Sequence, residues 1–259
     1  MSVRKLFDLG GRVALVTGGS RGLGMQVAEA LGEMGARVAI TARKPAELEE
    51  AREHLAQMGI ESLPIACDMS ERATIPAMVE KAIDGLGPID ILVNNAGTTW
   101  GADMIEHPLE AWLKVMDLNL TAMFVTSQEV GRRCMVPRRR GSIVNIASIL
   151  GLVGSNDPDR PGTIGYNTSK GGVISFTRAL AGEWARHDIR VNAIAPGFFP
   201  TKMTKGLMEM MGEKVASKAP LNKVGGPEDL KGAALLLASD ASAFITGQVI
   251  VVDGGATAI

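Results

Sequence analysis

The stretch Val13-Ala14-Leu15-Val16-Thr17-Gly18-Gly19-Ser20-Arg21-Gly22-Leu23-Gly24 decides how the chain is read. It runs straight into Met25, Ala28, Leu31 and Gly32, whose spacing is helical. A short β-branched apolar run is the pattern of a strand buried on both faces, so the stretch reads strand, turn, helix. Gly18 lets the turn close, Gly22 admits a pyrophosphate to the backbone N–H groups, and Gly24 lets helix and strand pack closely. The spacing differs from the commonest G-x-G-x-x-G form, and a glycine-rich turn with no ligand has the same letters. The rest of the chain must discriminate.

Working outward, Val13 to Val16, Val38 to Thr41, Ile89 to Val93, Ile143 to Ile146, Val191 to Ala195 and Val249 to Val252 read as buried strands. Glu61 to Ala66 is a weaker seventh. Between them, Met25 to Met34, Ala46 to Met58, Leu109 to Arg133 and Ser169 to Ala185 have helical composition and spacing. This alternation predicts an α/β fold with a Rossmann-type, doubly wound, seven-stranded parallel sheet flanked by helices. No linker, repeat or low-complexity tract interrupts residues 1–259, which implies a single domain. Ser155 to Gly165 is a long polar insertion before a helix.

With 259 residues and 46% hydrophobic content, the chain can bury a large core. Its net charge of −1 provides no global field to draw it to nucleic acid or an anionic membrane, so a small-molecule role is expected. Cys67 and Cys134 lack metal or redox spacing and read as reduced, buried thiols. His54, His107 and His187 are scattered, and no metal site is expected. Asp8, Gly10, Gly11 and Arg12 interrupt the N-terminus before an apolar leader forms, and no run is long enough to span a bilayer. A cytoplasmic location is expected.

Ligands of such sheets bind at the carboxyl ends of the strands. After the second strand, where an acidic residue would meet a ribose 2′-hydroxyl, the chain reads Thr41-Ala42-Arg43-Lys44. Arg43, with Arg21, is suited to pair with a 2′-phosphate, which predicts NADP(H) rather than NAD, although two solvated arginines fit the same letters. Tyr166, the only tyrosine, lies four residues before Lys170 at a helix start, so both side chains share a face. An ammonium there would draw the phenol's pKa down towards the working pH. Ser148, just past a strand, is suited either to polarising a carbonyl or to forming a turn. Asn94-Asn95-Ala96-Gly97 closes the fourth strand with small and amide side chains. Asn119 is a polar intruder among Leu118, Leu120 and Met123, so it either bonds locally or holds a water.

Together with Pro196-Gly197, Thr201 and the closing Gly247-Gln248 and Asp253-Gly254-Gly255, these residues resemble the short-chain dehydrogenase/reductase family from about Gly11 to Gly255. The resemblance implies that Tyr166 is the general acid/base. Lys170 would depress its pKa and bond the nicotinamide ribose, Ser148 would orient the carbonyl, and Asn119 would hold a proton-relay water. It implies further cofactor contacts from Gly18, Ser20, Arg21, Gly22, Leu23, Arg43, Asp68, Met69, Asn95, Ala96, Gly97, Pro196, Gly197, Phe199 and Thr201. Asp68 would bond the adenine amino group, Asn94 would line the adenosine side, and Phe199 and Thr201 would hold the carboxamide. The span between Ser148 and Tyr166 exceeds the family's common spacing by about five residues. It reads equally as a substrate-selecting wall or as a surface insertion.

The implied activity is NADP-dependent interconversion of a carbonyl and a secondary alcohol. A 3-oxoacyl reductase-like ketoreductase is expected, with a gluconate 5-dehydrogenase-like polyol or sugar-acid enzyme as the alternative. A non-catalytic dinucleotide sensor is the rival of a different class. Residues 198–219, with Met203, Met208, Met210 and Met211, match the family's substrate loop, although a methionine stripe also suits ordinary helix packing. Arg132, Arg133, Arg138, Arg139 and Arg140 offer an acyl-carrier dock or, alternatively, a solvated helix end and turn. The C-terminal strand and the helices Leu109 to Arg133 and Ser169 to Ala185 resemble the family's assembly faces, which implies a homotetramer.

Overall fold

The computed structural model describes residues 2–154, 161–202, 204 and 214–258. Seven strands form one sheet: β1 (Val13–Thr17), β2 (Arg37–Ala42), β3 (Ser62–Ala66), β4 (Ile91–Asn94), β5 (Gly141–Ile146), β6 (Ile189–Pro196) and β7 (Val249–Val252). Their order is β3-β2-β1-β4-β5-β6-β7 and every pairing is parallel. The chain winds one way from β1 to β3 and the other way from β4 onward, so the crevice between β1 and β4 is a topological switch point. Pro64 lies in β3, where its missing N–H costs no ladder bond because β3 is an edge strand.

The period-two alternation of each strand divides the core into two layers. Ala14, Val16, Val38, Ile40, Ile91 and Val93 point to one face, which is covered by the helices Gly22–Glu33, Pro45–Gln57 and Lys231–Ala238. Val13, Leu15, Ala39 and Leu92 point to the other, under Ile75–Leu86, Ala122–Val130 and Ile164–Trp184. Because both faces are covered, these strands are apolar throughout rather than alternating with polar residues.

Two expected helices differ from the structure. The helix expected from Ser169 begins at Ile164, which brings Tyr166 into its first turn. The span Leu109 to Arg133 is a helical rod with two π segments, Asp117–Thr121 and Gly131–Met135. Asn119 sits at the middle of the first, and π turns of this kind are associated with functional sites. Helix Pro45–Gln57 follows its local signals more closely: Pro45 is in the first turn, and Gly59 follows the end with φ +75°.

Candidate active site

The glycine turn after β1 is the tightest part of the site. Gly18 has φ +64°, and a Cβ at Gly24 would lie 2.3 Å from Gly18 O and 2.5 Å from Asn95 Nδ2. Gly24 therefore lets the helix Gly22–Glu33 start directly against the turn, and no side chain caps that helix. Its N-terminal N–H groups and positive dipole end are disposed to receive an anion. Asn95 holds the turn from β4 by donating from Nδ2 to Thr17 O at 2.9 Å and to Gly18 O at 3.0 Å.

A cavity of about 610 Å³ opens along the carboxyl ends of the strands. It is lined by Gly18, Ser20, Arg21, Gly22, Leu23, Arg43, Asp68, Met69, Asn95, Ala96, Gly97, Ser148, Tyr166, Lys170, Pro196, Gly197, Phe199 and Thr201. Each of these was singled out in the sequence, and they come from stretches up to about 180 residues apart. Its shape meets the requirements of a dinucleotide: a close-packed glycine turn at one side, arginines beyond it, and Ser148, Tyr166 and Lys170 at the far end. The wall also contains Glu47, Cys67, Thr98, Lys114 and Lys202, which no motif had marked. Lys114 could have been found from the helical phase, since it precedes Leu118 by one turn on a helix passing the cavity.

Asp68 is held by local bonds, with Oδ1 accepting from Ser70 N at 3.0 Å and Ser70 Oγ at 2.7 Å. Burial raises its pKa, but these bonds and the charges of Arg43 and Lys114 outweigh it, so the carboxyl stays below the usual range.

At the chemical end, Ser148 and Tyr166 line the same part of the cavity, and Lys170 Nζ lies 5.7 Å from the Tyr166 ring centroid. Lys170 is only 4% exposed and donates from Nζ to Ile146 O at 2.6 Å. Burial pushes Tyr166 up, against the smaller lowering effect of Ser148. Burial also lowers Lys170 to about 8. Desolvation opposes charge on both groups, and the ammonium is turned to a backbone carbonyl rather than to the phenol oxygen.

Asn119 and Asn94 are not among the residues that line the cavity. Asn119 is fully buried and is absent from the cavity wall. Its Nδ2 donates to Thr98 O and to Ser169 Oγ, both at 2.9 Å, and its Oδ1 accepts from Thr98 N at 2.8 Å. Of the two readings from sequence, the structure shows local bonding: the amide clamps the loop after β4 to the Tyr166 helix. Asn94 makes its contacts inside the sheet. It is buried, and Nδ2 donates to Asn145 Oδ1 at 2.9 Å and to Ser127 Oγ at 3.1 Å, while Asn145 donates onward to Thr177. A polar strand end can face the core when a polar residue on the adjacent strand meets it, which one strand's sequence does not reveal.

Both cysteines are free and buried, as expected. His54 pairs with Glu29 at 2.8 Å, and His187 lies 3.2 Å from Arg186 Nε. The arginine group is paired with acids: Arg132 and Arg133 with Glu129, Arg138 with Asp90, and Arg139 with Asp188. Residues 155–160 of the insertion, and Met203, Met208, Met210 and Met211 of the substrate-loop segment, lie outside the described residues. No helix among the described residues is long and apolar enough to cross a membrane.

The fold and cavity define a dinucleotide-binding oxidoreductase with a serine, tyrosine and lysine at its reaction end. Residues 18–257 match the family model described as enoyl-(acyl carrier protein) reductase. Gluconate 5-dehydrogenase of Gluconobacter oxydans is 38% identical over 259 residues, 99% of each chain. The 3-oxoacyl-acyl-carrier-protein reductase of Chlamydia muridarum is 41% identical over 245 residues, 94% of this chain and 96% of the relative. Among solved structures, a gluconate 5-dehydrogenase from Burkholderia cenocepacia in complex with NADP and tartrate superposes with a TM-score of 0.92 at 33% identity, covering 100% of both chains. The chain belongs to the short-chain dehydrogenase/reductase family.

Proposed function

We propose that this enzyme interconverts a carbonyl and a secondary alcohol with NADP(H), as a 3-oxoacyl reductase-like ketoreductase. The observation behind this reading is the joint placement of Ser148, Tyr166 and Lys170 in one cavity with the glycine turn and the Arg21 and Arg43 pair. Arg21, Arg43 and the absence of a carboxylate at the end of β2 support a 2′-phosphorylated cofactor, and relatives crystallised with NADP agree. When bound, the cofactor supplies or accepts the hydride. Ser148 donates to the substrate carbonyl oxygen and steadies it as charge develops there. Tyr166, kept neutral by burial, is the proton donor during reduction and takes the proton back during oxidation. Lys170, with a pKa of about 8, is mostly charged at pH 7 and favours the phenolate left after proton transfer. Asn119 acts as a positioning residue through Thr98 and Ser169. Both Nδ2 hydrogens are engaged, so Asn119 could hold a water only through the remaining lone pair of Oδ1 or through its main chain.

A second reading, a polyol or sugar-acid dehydrogenase, is favoured by the gluconate 5-dehydrogenase relative matched over 99% of both chains. The acid partners of the basic cluster support the solvated reading of those arginines over an acyl-carrier dock. The reading includes a cytoplasmic homotetramer, supported by two buried reduced thiols and by Phe244, fully exposed, with Val251 of β7 and Phe124 of the helix Ala122–Val130 also in solvent.

The test follows NADPH and NADH absorbance with acetoacetyl thioesters, keto sugar acids, diketones and aromatic ketones. NADPH oxidation with one substrate class, abolished in Tyr166→Phe while NADPH binding and fold persist, is the expected result. Near-normal turnover by Tyr166→Phe overturns the acid/base assignment, equal or better turnover with NADH overturns the cofactor, and NADPH binding with silence across the panel favours a dinucleotide sensor.

A further inference from the structure

Glu47, in the first turn of the helix Pro45–Gln57, is surrounded by cations from three parts of the chain. Arg21 of the glycine turn lies 2.7 Å from its Oε2, while Lys44 and Lys202 lie 3.4 and 3.5 Å from its Oε1. All four residues line the cavity together with Arg43. Glu47 is 25% exposed, so it belongs to the cavity wall rather than to a freely solvated surface. Burial raises its pKa but the charge of Arg21 and the two lysines prevails, and the carboxyl is held below its ordinary value. An anion thus already occupies the cluster at neutral pH.

We propose that Glu47 is the internal counter-ion of the phosphate-recognition cluster and sets the preference for a 2′-phosphorylated dinucleotide by competing with that phosphate for Arg21. The inference rests on the cofactor reading above. A phosphate monoester brings about −1.5 to −2 charges at pH 7. It must take Arg21 from Glu47 or share the cluster with a like charge, and both weaken its binding. An unphosphorylated ribose makes no such demand on the cluster. The preference for the phosphorylated cofactor is therefore narrower than the arginines alone would make it.

The test measures dissociation constants of NADPH and NADH by nicotinamide fluorescence for the wild type, Glu47→Gln and the equal-charge control Glu50→Gln. Glu47→Gln should tighten NADPH about two- to fivefold, in the range expected for removing one partly exposed competing charge, and leave NADH nearly unchanged. Its NADPH affinity should also fall more steeply with salt, since the bare cluster has more positive charge. Glu50→Gln should match the wild type. Unchanged or weaker NADPH binding by Glu47→Gln overturns the proposal and makes Glu47 a support for Arg21; an equal effect from Glu50→Gln overturns it as a net-charge effect. Equal or tighter NADH binding by the wild type counts against the cofactor reading alone, because the role of Glu47 is read from the change between proteins.

Discussion

Replacing Lys170 by methionine should inactivate the enzyme and stabilise the cofactor-free fold. Lys170 is 4% exposed, and burial lowers its pKa from 10.5 to about 8. In the unfolded chain it keeps its proton up to about pH 10.4, so below pH 8 the folded state carries the full cost of a buried charge. At about 1.4 kcal/mol per tenfold change in proton affinity, this is about 3 kcal/mol at pH 7. Against it stands the bond to Ile146 O, worth about 1–2 kcal/mol for a charged donor. Methionine fills similar space without charge, so the variant should gain about 1–2 kcal/mol, a Tm rise of roughly 2–8 °C for a chain of this size. The gain should shrink with pH. Between pH 8 and about 10.5 the unfolded wild type binds more protons than the folded, so wild-type stability rises relative to the variant. Thermal and urea unfolding of both proteins from pH 6.5 to 10 checks this. A variant less stable at pH 7, or a difference independent of pH, refutes the reasoning.

Gly24→Ala should lose at least tenfold in NADPH affinity, read by fluorescence, because its Cβ would meet Gly18 O at 2.3 Å. Asn119→Ala removes the bonds to Thr98 and Ser169 and should cost about 2–4 kcal/mol in urea unfolding, lowering kcat with little change in NADPH binding. Undiminished stability would show that the clamp contributes nothing. If the proposed homotetramer uses the exposed Phe244, Phe244→Asp should lower the mass seen by light scattering; an unchanged mass would remove this surface from the proposed assembly.

Much of the architecture and most of the site were legible in the letters, because local chemistry decides them. A β-branched run such as Ala14-Leu15-Val16 admits few structures other than a strand buried on both faces, and the Tyr166 and Lys170 spacing puts both on one helical face. Gly18 and Gly24 announce a turn too tight for a side chain. The order of such segments determined the doubly wound sheet, and the residues at the strand ends determined where its cavity is lined.

Tertiary structure alone decided how charge and hydrogen bonds are shared across that frame. Arg21 and Glu47 meet at 2.7 Å although 26 residues separate them. Asn119 looks available for a water until Thr98 and Ser169 take up its amide, and Asn94 looks like a cavity residue until Asn145 on the neighbouring strand claims it. Spacing places Lys170 beside Tyr166, but whether attraction or desolvation governs their protons depends on how much water the surrounding chain excludes, and here desolvation prevails. Periodicity and steric demands are properties of adjacent residues, whereas pairing and burial belong to residues brought together by the fold.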